Sequence, residues 1–134
     1  MADSFEDLEV WQVSMDLAVR VPDHVLGLPR EFRWLALQIM DSSESVPSNI
    51  AEGFERRLNG DFMRFLRIAK ASLGETDSHL VYARRRRLLT DEAYESLRED
   101  SLRIRKMLSR FIAYLSKYES PGKSPKPRTK NAEP

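Results

Sequence analysis

Tyr94, Leu97, Ser101, Ile104, Leu108, Phe111, Leu115 and Tyr118 recur at alternating intervals of three and four residues. This is the a/d pattern by which a helix seats against its neighbours in a bundle or coiled coil. A strand, whose side chains alternate every two residues, would scatter these positions over both of its faces. One helix cannot bury such a seam alone, so the rest of the chain has to supply partner helices.

Three further segments repeat with helical spacing. Leu8, Trp11, Met15, Ala18, Pro22 and Val25 form the first, with Ser4 or Asp7 available as a cap. Pro22 is expected to kink or interrupt that helix near its end, because it lacks an N–H and clashes with the preceding turn. Gly27-Leu28-Pro29 then reads as a turn. The second stripe is Phe32, Leu35, Ile39, Ser42, Val46, Ile50 and Gly53. After Asn59-Gly60, a strong turn signal, come Phe62, Phe65, Ala69, Leu73, Thr76, Leu80 and Ala83, ending around Leu88-Leu89. Thr90 is a good N-cap for the final segment, and Asp91 and Glu92 suit its first turn.

No segment shows period-2 alternation between hairpin turns. Four helices with short connections therefore predict an all-α fold, an antiparallel up-down four-helix bundle over residues 1–118. From Glu119 onward the chain is rich in proline, poor in apolar residues and basic, so 119–134 is expected to be a disordered tail.

The stretch S-V-P-S-N-I-A-E-G-F, residues 45–54, holds two helix breakers, Pro47 and Gly53, in a stripe that keeps its phase. The phase predicts helix rather than loop, kinked where Pro47 deprives the Ser43 carbonyl of its donor. Ser42, Ser43, Ser45 and Ser48 stand near enough to offer hydroxyls to freed backbone groups. Gly53 would permit close approach of a neighbouring helix. Asn49, if buried, needs specific partners for its amide.

At 134 residues the chain suits one domain, and 41% hydrophobic with 32% charged residues is the balance of a helix-rich protein in water. The absence of cysteine excludes disulfides, thiolate metal sites and a cysteine nucleophile. The acidic start M-A-D-S-F-E-D has no apolar signal core, and no apolar run approaches the roughly 18 residues of a membrane span. A cytoplasmic protein is expected, with no membrane partner. The net charge of +1 conceals an asymmetry: residues 1–53 carry 10 acids and 3 bases, whereas 54–118 carry 9 acids and 15 bases. Such a split can serve self-complementary assembly, a basic face toward an acidic partner, or unevenly solvated helices.

Four words of the sequence together resemble one family. F-E-D-L-E-V-W-Q (5–12), L-A-L-Q-I (35–39), S-V-P-S-N-I-A-E-G-F (45–54) and D-F-M-R-F-L-R-I-A-K-A-S-L-G-E-T (61–76) occur in order, as in the bacterial 23S rRNA intervening-sequence proteins. The resemblance spans about residues 5–118, and its structural signature is Pro47, Ser48, Asn49, Glu52 and Gly53. It implies a small up-down bundle assembled as a homopentamer, with no established enzymatic activity. It also brings a distant likeness to the accessory protein of diversity-generating retroelements, which binds nucleic acid and a reverse transcriptase through a basic surface. After Gln38 this chain departs from the family pattern, with Asp41 and Glu44 where a basic residue and small apolar ones are usual. Ala71 stands where a glycine is usual, and Gly74 where members vary; such changes shift helix propensity by about 1 kcal/mol per site.

Two basic zones are the candidate contacts for nucleic acid or another partner. Arg84, Arg85, Arg86 and Arg87 follow one another near the third helix's C-terminus, where they complement its dipole. At about 100° per residue they wrap most of the helix and cannot all share one face. Guanidinium groups can grip phosphate, pair with acids, or simply be solvated. Arg56, Arg57, Arg64, Arg67 and Lys70 form the second zone, with Arg64, Arg67 and Lys70 three apart on one outer face. No zinc-finger, helix-turn-helix or stacking-sheet signature points to base-specific recognition.

Material for catalysis is thin. His24 and His79 are the only histidines, and Glu75 with His79 makes one helical pair where a bundle metal site needs several Glu-x-x-His motifs. Ser45 and Ser48 lack a nucleophile-elbow setting, and there is no P-loop or dinucleotide fingerprint. No enzyme, cofactor, metal or small-molecule substrate is expected. Trp11, Trp34, Phe62, Phe65 and Phe111 are expected in the core or an interface. The chain reads as a homo-oligomeric scaffold or adaptor that binds RNA, DNA or a nucleic-acid enzyme, or else as a purely structural assembly.

Overall fold

The structure, a computed structural model, describes residues 2–118. The segment 119–134, expected to be a disordered basic tail, lies outside them. Four helices follow in order, α1 (Glu9–Val25), α2 (Arg33–Glu55), α3 (Asn59–Arg85) and α4 (Asp91–Ser116). Single 3₁₀ turns at Phe5–Asp7 and Arg30–Phe32 precede α1 and α2, and the described residues include no strand.

The order of the contacts gives the direction of the helices. Ser45 meets Ser72 at 3.0 Å, Ser42 meets Thr76 at 2.7 Å, and the Trp34 ring meets Tyr82. Positions on α3 rise as those on α2 fall, so the pair is antiparallel. Phe62 against Phe111, Asp77 against Ser101 and Arg84 against Asp91 establish the same for α3 and α4. α1 packs on both α2 and α4, which closes the four helices around one core.

That core is built by the predicted stripes of α2, α3 and α4. Leu35, Ile39, Ile50, Phe62, Leu73, Leu80, Leu97, Ile104 and Leu108 are among its fully buried side chains. Each contributes on the order of 1.5–3 kcal/mol by leaving water. The first stripe holds at its ends, where Leu8 and Val25 are buried, but is displaced by one residue between them. α1 buries Val10, Ser14, Leu17, Val21 and Val25, whereas Trp11, Met15, Ala18 and Pro22 are only half-buried. Trp11 is covered from outside by the Phe5 ring, 5.0 Å away, because the Ser4-capped turn folds back over α1. Pro22 does not stop the helix. It opens the last turn, and the Leu26 amide still bonds the Pro22 carbonyl at 3.0 Å.

α2 runs as helix through Pro47, as the phase of Val46 and Ile50 requires. Asn49 is half-buried, and its Nδ2 donates to the Ser45 carbonyl at 2.7 Å and to Ser45 Oγ at 2.9 Å. The hydroxyls of Ser42 and Ser43 donate to the carbonyls of Ile39 and Met40, one turn back, and Ser48 is exposed. Gly53 lies where α2 packs tightly against Phe62 and Phe65 of α3. A Cβ there would stand 2.6 Å from Phe65 Cβ.

The turn between α2 and α3 is not at Asn59-Gly60, which already belong to α3. The chain reverses at Arg56–Leu58, with Arg57 in the left-handed region at φ 67°. α3 ends in the same way. Arg87 has φ 61°, its amide bonds the Arg84 carbonyl at 2.8 Å, and the Leu88 amide bonds the Ala83 carbonyl at 2.9 Å. This is the Schellman arrangement, in which an arginine occupies the position that glycine usually takes. Thr90 caps α4 as expected, its Oγ1 accepting from the Ala93 amide at 3.1 Å.

Candidate nucleic-acid interface

Both basic zones belong to α3 and its two connections, so the helix sets their separation. Arg64 and Arg84 are twenty residues apart on one helix, roughly 30 Å at 1.5 Å per residue. The two zones are therefore opposite ends of the bundle, and one monomer does not merge them.

At the first end aromatic rings organise the arginines. The Phe65 ring lies beneath two guanidiniums, Arg64 at 4.5 Å and Arg56 at 5.1 Å from its centre. Arg57 lies over Phe54 at 5.2 Å. Such stacking fixes a guanidinium plane while leaving its edge donors for an anion. Arg56 also pairs with Glu52 at 3.3 Å. Arg57, Arg64, Arg67 and Lys70 have no acidic partner among the described residues. Arg64 and Arg67 are exposed and Lys70 half-exposed along one edge of α3.

At the other end the four successive arginines diverge, but not by helical rotation alone, since α3 ends at Arg85 and Arg87 is left-handed. Arg86 turns back over the Phe32 ring at 5.3 Å. Arg84 crosses to α4, over Tyr94 at 4.6 Å, with Nε 3.4 Å from Asp91 Oδ1. Arg84, Arg85 and Arg87 line a common open cleft of about 520 Å³ with Val81 and Tyr94.

Between the two ends, Asp77 anchors α3 to α4. It accepts from Ser101 Oγ at 2.5 Å and Arg105 Nη2 at 3.1 Å, and Arg98 Nε lies 3.4 Å away. These α4 arginines are thereby engaged within their own subunit. Arg103, Lys106 and Arg110 instead line a groove of about 510 Å³ with Glu9, Glu99 and Asp100. Sequence reasoning passed over this basic edge, although its i, i+3, i+7 spacing signals one helical face. It is electrically mixed, and Arg103 pairs with Glu9 at 3.4 Å.

His79 Nε2 lies 3.6 Å from Glu75 Oε2. No group of three His, Asp or Glu side chains among the described residues could hold a metal ion. No described helix is long and apolar enough to cross a membrane. Phe62, Phe65 and Phe111 are buried, whereas Trp34 is 49% exposed and rests edge-on against Tyr82, 41% exposed. With the nearby exposed Leu37 they form an apolar patch on the outer face of α2 and α3.

The sequence profile of the 23S rRNA-intervening sequence proteins matches residues 6–110. Among solved structures, a protein of unknown function from the S23 ribosomal protein family of Bacteroides thetaiotaomicron superposes with a TM-score of 0.72 at 32% identity. The match covers 78% of this chain and 95% of that one. Comparison with curated proteins finds no match.

Proposed function

This chain belongs to the 23S rRNA-intervening sequence protein family, and from that premise we propose that it is a non-enzymatic, homo-oligomeric helical-bundle scaffold of the cytoplasm. Its basic surface engages RNA, DNA or a nucleic-acid enzyme, and the assembly is a pentamer, as the family resemblance implies. The observation that carries this proposal is the lack of acidic partners for Arg57, Arg64, Arg67 and Lys70 among the described residues. Charges without an acidic partner among the described residues, two of them (Arg57 and Arg64) held over aromatic rings, suit phosphate. Arg64, Arg67 and Lys70 advance by about 4.5 Å per step along α3, an extended stripe fitted to a backbone rather than to one group. Repetition in an oligomer would multiply the field.

Mobility-shift titrations across a salt series test this proposal, alongside light scattering. Neutralising Arg64, Arg67 and Lys70 to Gln should leave the oligomer intact. It should also lower the slope of log affinity against log salt by about three, near one per lost phosphate contact. An intact oligomer that binds neither RNA nor DNA at low salt would overturn the nucleic-acid part.

The exposed Trp34–Tyr82 patch favours a second role, a purely structural or protein-binding assembly. Replacing Arg84–Arg87 with Gln separates the two. Loss of the oligomer supports the structural assembly, and an intact oligomer with impaired nucleic-acid binding supports the scaffold.

A further inference from the structure

The cleft at the far end of α3 differs in kind from the stripe at its start. We propose that Arg84, Arg85 and Arg87 form a binding site for a multiply charged phosphate group, a di- or triphosphate, with Tyr94 as its floor.

Three observations carry this assignment. First, the arginines are not used as helix caps. The last carbonyls of α3 are satisfied by backbone amides, Arg86 N–H to Tyr82, Arg87 N–H to Arg84 and Leu88 N–H to Ala83. Second, their charge is largely free. Arg84 shares one nitrogen with Asp91, while the side chains of Arg85 and Arg87 have no ion pair, hydrogen bond or ring contact among the described residues. The cleft therefore holds three guanidiniums against one carboxylate, an excess of two positive charges. A single phosphodiester brings one negative charge, and a terminal di- or triphosphate brings several. Third, Arg87 occupies a left-handed position, φ 61°, where glycine would be less strained. A side chain retained there at a conformational cost points to a task for the side chain. The cleft lining supplies the geometry: Arg84, Arg85 and Arg87 face it together, and Arg86 turns away to Phe32.

The site does not depend on the nucleic-acid proposal, since tripolyphosphate has neither base nor sugar. Calorimetric titration of the full chain with inorganic tripolyphosphate is the direct test. Arg87→Gly keeps the turn and removes the guanidinium, so it should weaken binding by about tenfold or more without lowering the melting temperature. Arg85→Gln should act similarly, whereas Arg110→Gln, in the α1/α4 groove, should not. Absence of tripolyphosphate binding overturns the assignment. So does an equal loss in Arg110→Gln, which would indicate a diffuse field.

Two RNA oligomers of one sequence, with 5′-triphosphate or 5′-hydroxyl ends, then distinguish the source. Tighter binding of the triphosphate end, abolished by Arg87→Gly, supports an RNA terminus as the ligand. Equal binding of the two oligomers, with tripolyphosphate binding still sensitive to Arg87→Gly, supports a free polyphosphate.

Discussion

Gly53→Ala and Gly74→Ala make the same chemical change in two helices and should move stability in opposite directions. Each replaces a helical glycine with alanine, a gain of about 1 kcal/mol in intrinsic propensity. At Gly74 the new methyl would meet only Arg105 Nη2, at 3.6 Å, an ordinary contact with the end of a flexible side chain. At Gly53 it would lie 2.6 Å from Phe65 Cβ, 3.0 Å from Phe62 Cδ1 and 3.4 Å from the Phe62 carbonyl oxygen. Carbon atoms pack at about 3.5–4.0 Å, so the overlap is roughly 1 Å. Phe65 Cβ cannot rotate away, because it is fixed to the α3 backbone. The two helices must part, at the level where Phe54, Phe62 and Phe111 stack. Overpacking of this kind costs about 1–3 kcal/mol, and parting the aromatic cluster puts this site at the upper end. Net of the propensity gain, Gly53→Ala should lose about 1–2 kcal/mol and Gly74→Ala should gain about 0.5–1 kcal/mol. In melting temperature the first corresponds to a fall of roughly 5–10 °C. Urea denaturation followed by far-UV circular dichroism reads both midpoints. If both variants gain stability, α3 is free to move away from α2, and the close-approach reasoning fails.

Three other outcomes are expected. Asp77→Ala takes the carboxylate from Arg105 and from Arg98, which keeps its bond to the Tyr94 hydroxyl; their side chains are 33% and 37% exposed, and Ser101 Oγ loses its partner. Breaking a fully buried pair costs 3–5 kcal/mol, so this partly solvated one should cost about 2 kcal/mol by urea denaturation. Thr90→Ala removes the hydroxyl that caps α4 and should cost about 1 kcal/mol in the same assay. The hydrogen bond with Tyr118 holds the Tyr114 proton and raises its pKa, with burial and the charge of ionised Tyr118 adding to the rise. A raised folded-state pKa stabilises the fold fully below the ordinary tyrosine value and loses that contribution as pH climbs through the shifted one. Tyr118→Phe should bring the Tyr114 phenol ionisation, followed by ultraviolet absorbance, to lower pH; an unchanged titration would refute the pairing.

The helices of this bundle were legible wherever one face alone was apolar. In α2, α3 and α4 the inward stripe is the longest apolar one, even with Trp34 and Leu37 exposed on α2, so Ile39, Leu73 and Leu108 declare the inward direction. α1 carries Val10, Trp11, Val13, Met15, Leu17 and Val19 in close succession, and two adjacent faces compete. Large Trp11 and Met15 suggested the wrong one, and the Ser4–Asp7 turn that shelters Trp11 has no periodic signal of its own. The turns misled for a related reason. Asn59-Gly60 is turn chemistry, yet the left-handed residues are Arg57 and Arg87, which no propensity would nominate. The arginines themselves were easy to find. What spacing could not supply was the ring beneath each guanidinium, since Phe65, Phe54, Tyr94 and Phe32 meet them only after folding.

The hydroxyl pairs between α2 and α3 have a consequence for assembly of the bundle. Hydrocarbon contacts change little when one helix slides along another by a turn, about 5.4 Å. Here such a slide would set Ser42, 4% exposed, against fully buried Leu80 in one direction. In the other it would take Ser45 from Ser72 and set it against Ile68. Either way one hydroxyl loses its cross-helix partner, at a cost of about 1–3 kcal/mol for a buried group. That is roughly a fivefold to hundredfold bias in population. The serines and threonine add little to the depth of the native minimum; they make it single.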